Sequence, residues 1–138
     1  MQLNPYLLFD GQCEAAFTFY AERLGGKVAA MMRYEGSPAA DHTPPEWRQK
    51  IMHARLMLGD RVLMGSDPPP GSQERMQGFF VTLGVDDPAE AERIFAALAE
   101  GATVRMPLQQ TFWARRFGML VDRFGTPWMI NCEQPAAA

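Results

Sequence analysis

Two stretches of the chain repeat apolar residues at helical spacing, and the segments around them alternate with the shorter period of strands. In "CEAAFTFYAERLGG", Cys13, Phe17, Tyr20 and Leu24 recur at i, i+4, i+7 and i+11, and Gly25-Gly26 supply a left-handed stop. The spacing predicts a helix with one buried face. In "DDPAEAERIFAALAEG", Asp87 is placed as N-cap, Pro88 at the first helical position and Glu90 as the closing residue of a D-x-x-E box. Ala91, Ile94, Phe95 and Leu98 share one face, and Gly101 ends this second helix. Strand character falls on Leu3–Phe9, Lys27–Tyr34, Ile51–Leu58, Arg61–Gly65, Gly78–Val85, Thr103–Leu108, Phe112–Val121 and Pro127–Cys132.

In chain order these elements read strand, helix, strand, strand, strand, and then the same again. "FYAERLGGKVAAMM" followed by "HARLMLGDRVLMGSD" matches "IFAALAEGATVRMPL" followed by "FGMLVDRFGTPWMIN" in its glycine stop, Met-bearing strand and Gly/Asp hairpin. A duplicated βαβββ unit explains the match, with repeat one at about residues 1–66 and repeat two at about 78–133 of a single domain spanning 1–138. The fold class expected is therefore α+β. Each sheet has one face covered by its helix and one left bare, and bare faces brought together around a shared cavity make a small-molecule site. The segment Tyr34–Lys50 breaks the symmetry with three prolines, and its length leaves a lid, a dimer arm or a disordered loop as alternatives. Ser66–Gln77 reads as the linker between repeats.

A length of 138 residues with 47% hydrophobic and 21% charged residues fits one globular core. The net charge of -3, with scattered Lys and Arg, argues against a phosphate-neutralising surface, so no nucleic-acid partner is expected. Neither a leader-like pattern at the N-terminus nor a run near the ~18 apolar residues of a membrane span is seen, so no membrane partner and a cytoplasmic location are expected. Cys13 and Cys132, far apart and in apolar surroundings, read as buried free thiols.

"PYLLFDGQCEAAFTFYAERLGG", "HARLMLGDRVLMGSD" and "MPLQQTFWARRFGMLVDRFGTPWMIN" resemble the vicinal oxygen chelate superfamily, which includes glyoxalase I, extradiol dioxygenases and bleomycin- or fosfomycin-resistance proteins. Within it, the chain looks like the PhnB-like branch, also labelled 3-demethylubiquinone methyltransferase-like. The resemblance implies the glyoxalase-like open barrel of paired repeats and a homodimer. It also implies, in metal-dependent members, a His or similar ligand early in each repeat and a carboxylate in each last strand. Aligned on Phe19-Tyr20, the first positions fall at Asn4 or Pro5 and within Gly78–Val81, and the carboxylate positions fall near Leu63 and Met129. None of these offers a ligand for a hard divalent ion, so no cofactor is expected at the usual site, and a divalent metal is disfavoured because a relocated site would need both histidines, His42 and His53, with acids from elsewhere. A methyltransferase activity is discounted, because no G-x-G-x-x-G follows a strand and two repeats already occupy the chain.

Alternation in "IMHARLML" sets Ile51, His53, Arg55 and Met57 on one face and Met52, Ala54, Leu56 and Leu58 on the helix-facing other. His53 and Arg55 are thus candidates for proton acceptor and anion contact, with a structural cross-sheet His and a solvated Arg as the alternative. In "QQTFWARRFG", Gln110, Thr111 and Trp113 are candidate ligand contacts, unless Phe112 and Trp113 fill a core or a subunit interface. Arg115 and Arg116 point opposite ways, so at most one reaches a pocket. Tyr6, Met129 and Asn131 complete the candidate ligand set, while Trp128, matched to Val62, is assigned to packing beneath the second helix and Asp122 to its own turn. The ten methionines suit either a gap-filling core or a pocket tolerant of varied apolar ligands.

Three functions follow. The first is a metal-free small-molecule binding protein. The second is a lyase, isomerase or dioxygenase-type enzyme using a relocated divalent metal or His53 as catalytic acid-base. The third is a structural or regulatory homodimer, favoured if the Pro-rich loop is buried between subunits.

Overall fold

The structure, a computed structural model, describes residues 1–134. It divides into two units, Met1–Arg75 and Met76–Ala138. The first contains β1 (Tyr6–Leu8), α1 (Cys13–Leu24), β2 (Lys27–Arg33), β3 (Ile51–Leu58) and β4 (Arg61–Ser66). The second contains β5 (Val81–Val85), α2 (Pro88–Ala99), β6 (Thr103–Gln109), β7 (Ala114–Val121) and β8 (Pro127–Glu133). Each forms a four-stranded mixed sheet, β1-β4-β3-β2 and β5-β8-β7-β6, with the outer first strand parallel to the last and the remaining pairs antiparallel. The molecule is thus α+β, two βαβββ repeats, as the duplicated pattern predicts.

An aromatic ring on each helix meets a glycine on its sheet. A Cβ on Gly65 would lie 2.9 Å from the Phe17 ring, and one on Gly118 would lie 2.7 Å from the Phe95 ring and 3.0 Å from Leu108 Cα. Only glycine lets helix and strand approach this closely. Around these contacts Cys13, Ala16, Phe17, Tyr20, Ala54, Leu56 and Leu63 are buried in the first unit, and Ala91, Ile94, Leu98, Leu120, Trp128, Ile130 and Cys132 in the second. Leu24 and Phe95, expected on the buried faces, are half-buried, and Phe19 joins the core of the first unit.

Several strand limits differ from the pattern for local reasons. β1 starts at Tyr6 rather than Leu3, since Pro5 has no N–H to give the ladder and only its carbonyl is used, by Met64 N at 3.1 Å. β5 starts at Val81 because Gly78 is left-handed at φ 81. β7 starts at Ala114, because Thr111 forms a tight turn, its N–H donating to the Ala114 carbonyl and its hydroxyl accepting from Ala114 N. In β3 the register slips between Met32–His53 and Arg33–Ile51, leaving Met52 as the extra residue of a bulge. The slip turns Ile51 onto the helix side with Ala54 and Leu56, where simple alternation places Met52. At α2, Asp87 accepts from Ala89 N, but Glu90 does not close the box, because Arg93 one turn later takes its carboxylate at 2.6 Å.

Two buried carboxylates fix the ends of the sheets. Asp67 accepts from Cys13 N and from Ile51 N, both at 3.0 Å, so it ties the start of α1 to the start of β3. Its own carbonyl accepts from the Tyr34 hydroxyl at 2.7 Å and from Trp47 Nε1 at 3.3 Å. Ser66 and Asp67 therefore belong to the core, and the linker begins only after them. Loop 34–50 is folded into two short 3-10 turns, Pro38–His42 and Pro45–Trp47, and is held by these bonds and by Lys50 Nζ donating to the Gly11 carbonyl at 3.0 Å. Cys13 and Cys132 are free and buried, and burial pushes the Cys13 thiol well above its ordinary range.

In the second unit Asp122 accepts from Phe124 N at 2.8 Å, Thr126 N at 3.0 Å and Trp128 Nε1 at 2.8 Å. Together with Gly125 at φ 92, it closes the β7–β8 turn as the sequence reading has it. Asp122→Ala leaves a buried indole N–H without its acceptor, so a loss of about 3 kcal/mol is expected in urea unfolding. A loss under about 0.5 kcal/mol, the range of an ordinary surface change, would show that the clamp is dispensable.

Candidate functional site

The face of each sheet turned away from its helix is read from the strand register. In the first unit Tyr6, Met64, Arg55 and Ala30 form one row across the four strands, on the side opposite Gly65 and Ala54. Tyr6 and His53 meet on this face: the hydroxyl and Nδ1 are hydrogen-bonded at 3.1 Å, and the rings stack with centroids 5.7 Å apart. Tyr6, His53 and Arg55 are thus brought to one surface.

In the second unit the rows are Thr82, Met129, Met119, Met106 and Gly84, Asn131, Phe117, Gln109. Met129 and Asn131 therefore lie on the uncovered face, while Trp128, fully buried, packs on the α2 side as expected. The helix-facing pair Leu120–Trp128 corresponds to Leu56–Leu63, so Trp128 matches Leu63 rather than Val62. The one-residue correction comes from the longer β7–β8 turn, which sequence comparison alone places no better than one residue either way.

Asn131 is the anomaly of this face. Its Oδ1 is buried without a hydrogen-bond partner, the one such side-chain atom among the described residues. Its pairing neighbour on β5 is Gly84, whose backbone is not left-handed and whose missing Cβ would meet nothing within 4 Å. Neither conformation nor packing requires glycine there. Glycine inside a strand often marks a place where a ligand approaches closely. A cleft of about 450 Å³ opens at this point, lined by Gly84, Asp86, Arg115, Asn131 and Glu133.

Arg115 sits at a bulge between the Ala114–Glu133 and Arg116–Cys132 pairs. Its Nε donates to the Glu133 carbonyl at 3.0 Å and its Nη2 to the Asp86 carbonyl, which fixes the guanidinium along the rim. Arg116 turns the other way and pairs with Glu92 of α2 at 3.1 Å. Trp113, 46% exposed, packs edge-on against Phe117 with centroids 5.4 Å apart, beside Asn131. Phe112 is 93% exposed, Gln110 is exposed, and the Thr111 hydroxyl is occupied by its turn. Of the residues lining this cleft, the sequence reading names Asn131 as a ligand contact and does not name Gly84, Asp86 or Glu133. The only signal for Gly84 is a glycine at an ordinary strand position in "VTLGVDD".

The first unit's face offers a metal ion one imidazole, already bonded to Tyr6, and thioethers, and the second offers thioethers, a carboxamide and, at the cleft rim, the carboxylates of Asp86 and Glu133. The corrected register moves the first repeat's carboxylate position from Leu63, which faces α1, to Met64, again not a carboxylate. Among the described residues no group of three or more His, Cys, Asp or Glu is placed to hold a metal ion. No helix among them is long and apolar enough to cross a membrane.

A βαβββ pair with uncovered sheet faces is the architecture of one protein class, and comparison with known proteins assigns it. Residues 2–130 match the family model described as Glyoxalase/Bleomycin resistance protein/Dioxygenase superfamily, and the chain belongs to that superfamily. Among its relatives, Protein YjdN from Escherichia coli (strain K12) is 33% identical over 98% of this chain and 99% of its own length. The crystal structure of protein PA1353 from Pseudomonas aeruginosa is similar at 51% identity and a TM-score of 0.89, covering 97% of this chain and 98% of that one. The PhnB protein from Bacillus cereus, at 21% identity and a TM-score of 0.79 over 96% of this chain and 99% of that one, shares the fold.

Gly84 and Asn131 each cost the fold stability that a ligand-free design would recover. Gly84→Ala is expected to raise unfolding free energy by about 0.5–1 kcal/mol, because the strand accepts a Cβ and the unfolded chain loses freedom. Asn131→Leu, which removes the orphaned oxygen, is expected to raise it by about 1 kcal/mol. Urea titrations measure both, and clear destabilisation by both changes would show that these residues serve the fold.

Proposed function

We propose that this protein binds a small organic molecule in the cleft over Gly84 and Asn131, without the divalent-metal site of the superfamily's metal-dependent members. The observation that carries this reading is the buried, partnerless Asn131 Oδ1. A buried polar atom left unsatisfied costs about 1–3 kcal/mol, and a ligand donor that the carboxamide turns outward to meet would satisfy it. Gly84 supplies the space and Arg115 a fixed cation at the rim, and Phe117, paired with Asn131 in the strand register, gives an apolar surface next to the cleft.

One observation favours a second reading, an enzyme of the lyase, isomerase or dioxygenase type. The Tyr6–His53 pair is a hydrogen-bonded phenol and imidazole on the face turned away from α1, a disposition suited to passing a proton to or from a bound molecule.

Thermal unfolding against a chemically diverse panel of small molecules, divalent ions and a chelator separates the two readings, since a ligand of the native state raises stability by RT ln(1 + [L]/Kd). At least one organic compound is expected to raise the Tm of the wild type and to lose its effect in folded Gly84→Leu. No divalent ion is expected to act. A metal effect reversed by chelator, or turnover of a bound compound that His53→Gln abolishes, would replace the first reading with the second. The absence of any response to an organic compound would remove it.

A further inference from the structure

We infer that the ligand of the Gly84–Asn131 cleft is a small amino carboxylate, a molecule carrying an ammonium and a carboxylate on the same carbon atom. The inference rests on the binding reading above and deepens it.

The carboxylate follows from the donors. With Nε and Nη2 of Arg115 held on the carbonyls of Glu133 and Asp86, the remaining nitrogen, Nη1, has no partner among the described residues. A guanidinium held at a cleft rim with spare N–H groups is matched by a carboxylate, which accepts charge-assisted hydrogen bonds from it. The Asn131 carboxamide makes no hydrogen bond to any described residue and therefore offers one donor and one acceptor end, whichever way the amide is turned.

The ammonium follows from the acceptors. Asp86 and Glu133, which also line the cleft, form no ion pair with any described cation, and Asn131 lines the same cleft from β8, two residues before Glu133. Two carboxylates and an orphaned carbonyl oxygen against one guanidinium repel a simple anion, a phosphate dianion most of all. A ligand that brings its own positive charge next to its carboxylate satisfies both sets. Phe117, next to Asn131 in the same row, gives an apolar side group a surface to cover.

Calorimetric titration of the full chain tests this with four compounds of one skeleton: phenylalanine, phenyllactate, 3-phenylpropionate and phenethylamine. Phenylalanine is expected to bind at least about tenfold more tightly than each of the other three, since each lacks one charged contact. Arg115→Gln is expected to weaken phenylalanine by about tenfold while leaving phenethylamine unchanged. Binding of phenylpropionate or phenyllactate as tight as that of phenylalanine overturns the ammonium, and equal binding of phenethylamine overturns the carboxylate. If none of the four binds, yet another chemical type stabilises the wild type and not folded Gly84→Leu or Asn131→Leu, the ligand class is wrong and the binding reading stands. If no compound distinguishes the wild type from those two variants, the binding reading falls with it.

Discussion

The close seating of an aromatic ring on a glycine, Phe17 on Gly65 and Phe95 on Gly118, is the constraint on which both units depend. It brings a single helix close enough to cover one face of a four-stranded sheet. One helix has no second apolar face to spare, so the opposite side of each sheet is left without a helix. The core is consequently one-sided: Leu56, Leu63, Leu120, Trp128 and Ile130 are buried beneath the helices, while their strand neighbours Arg55, Met64, Met119, Met129 and Asn131 turn away. Period-two alternation then sorts packing residues from candidate ligand contacts.

That sorting explains how much could be read beforehand. The helices, the order of strands and the repeat were legible, because Cys13, Phe17 and Tyr20, or Ala91, Ile94 and Leu98, mark buried stripes at helical spacing. The side assignments of Met129, Asn131 and Trp128 followed from alternation as well. Errors arose where the backbone departs from regularity. The bulge at Met52 reverses the phase of Ile51, and the five-residue clamp of Asp122 shifts the match of Trp128 to Leu63. A hydrophobic pattern carries no mark of either, since both depend on hydrogen bonds rather than on side-chain type.

The site was legible only in part for the same kind of reason. Asn131 shows itself as a polar residue in an apolar strand, but its lack of a partner exists only in three dimensions. Gly84 lies three residues before the N-cap Asp87 and looks like a turn glycine until its strand pairing with Asn131 is known. Asp67 reads as a linker residue until Cys13 N and Ile51 N are seen to donate to it. On the proposed reading, stability and binding pull in opposite directions at Gly84 and Asn131, where a glycine in a strand and an unsatisfied oxygen each cost about 1 kcal/mol. Such residues are common where function is served ahead of the fold.

The location of the site can be tested most directly by following the Gly84 backbone amide and the Asn131 side-chain amide in nitrogen-proton correlation spectra during titration with any compound that stabilises the protein. Both signals are predicted to move at the lowest ligand concentrations and to saturate together with the shift in Tm. Movement confined to Tyr6, His53 and their neighbours on β3, with Gly84 and Asn131 unchanged, would contradict the assignment of the site to the second unit.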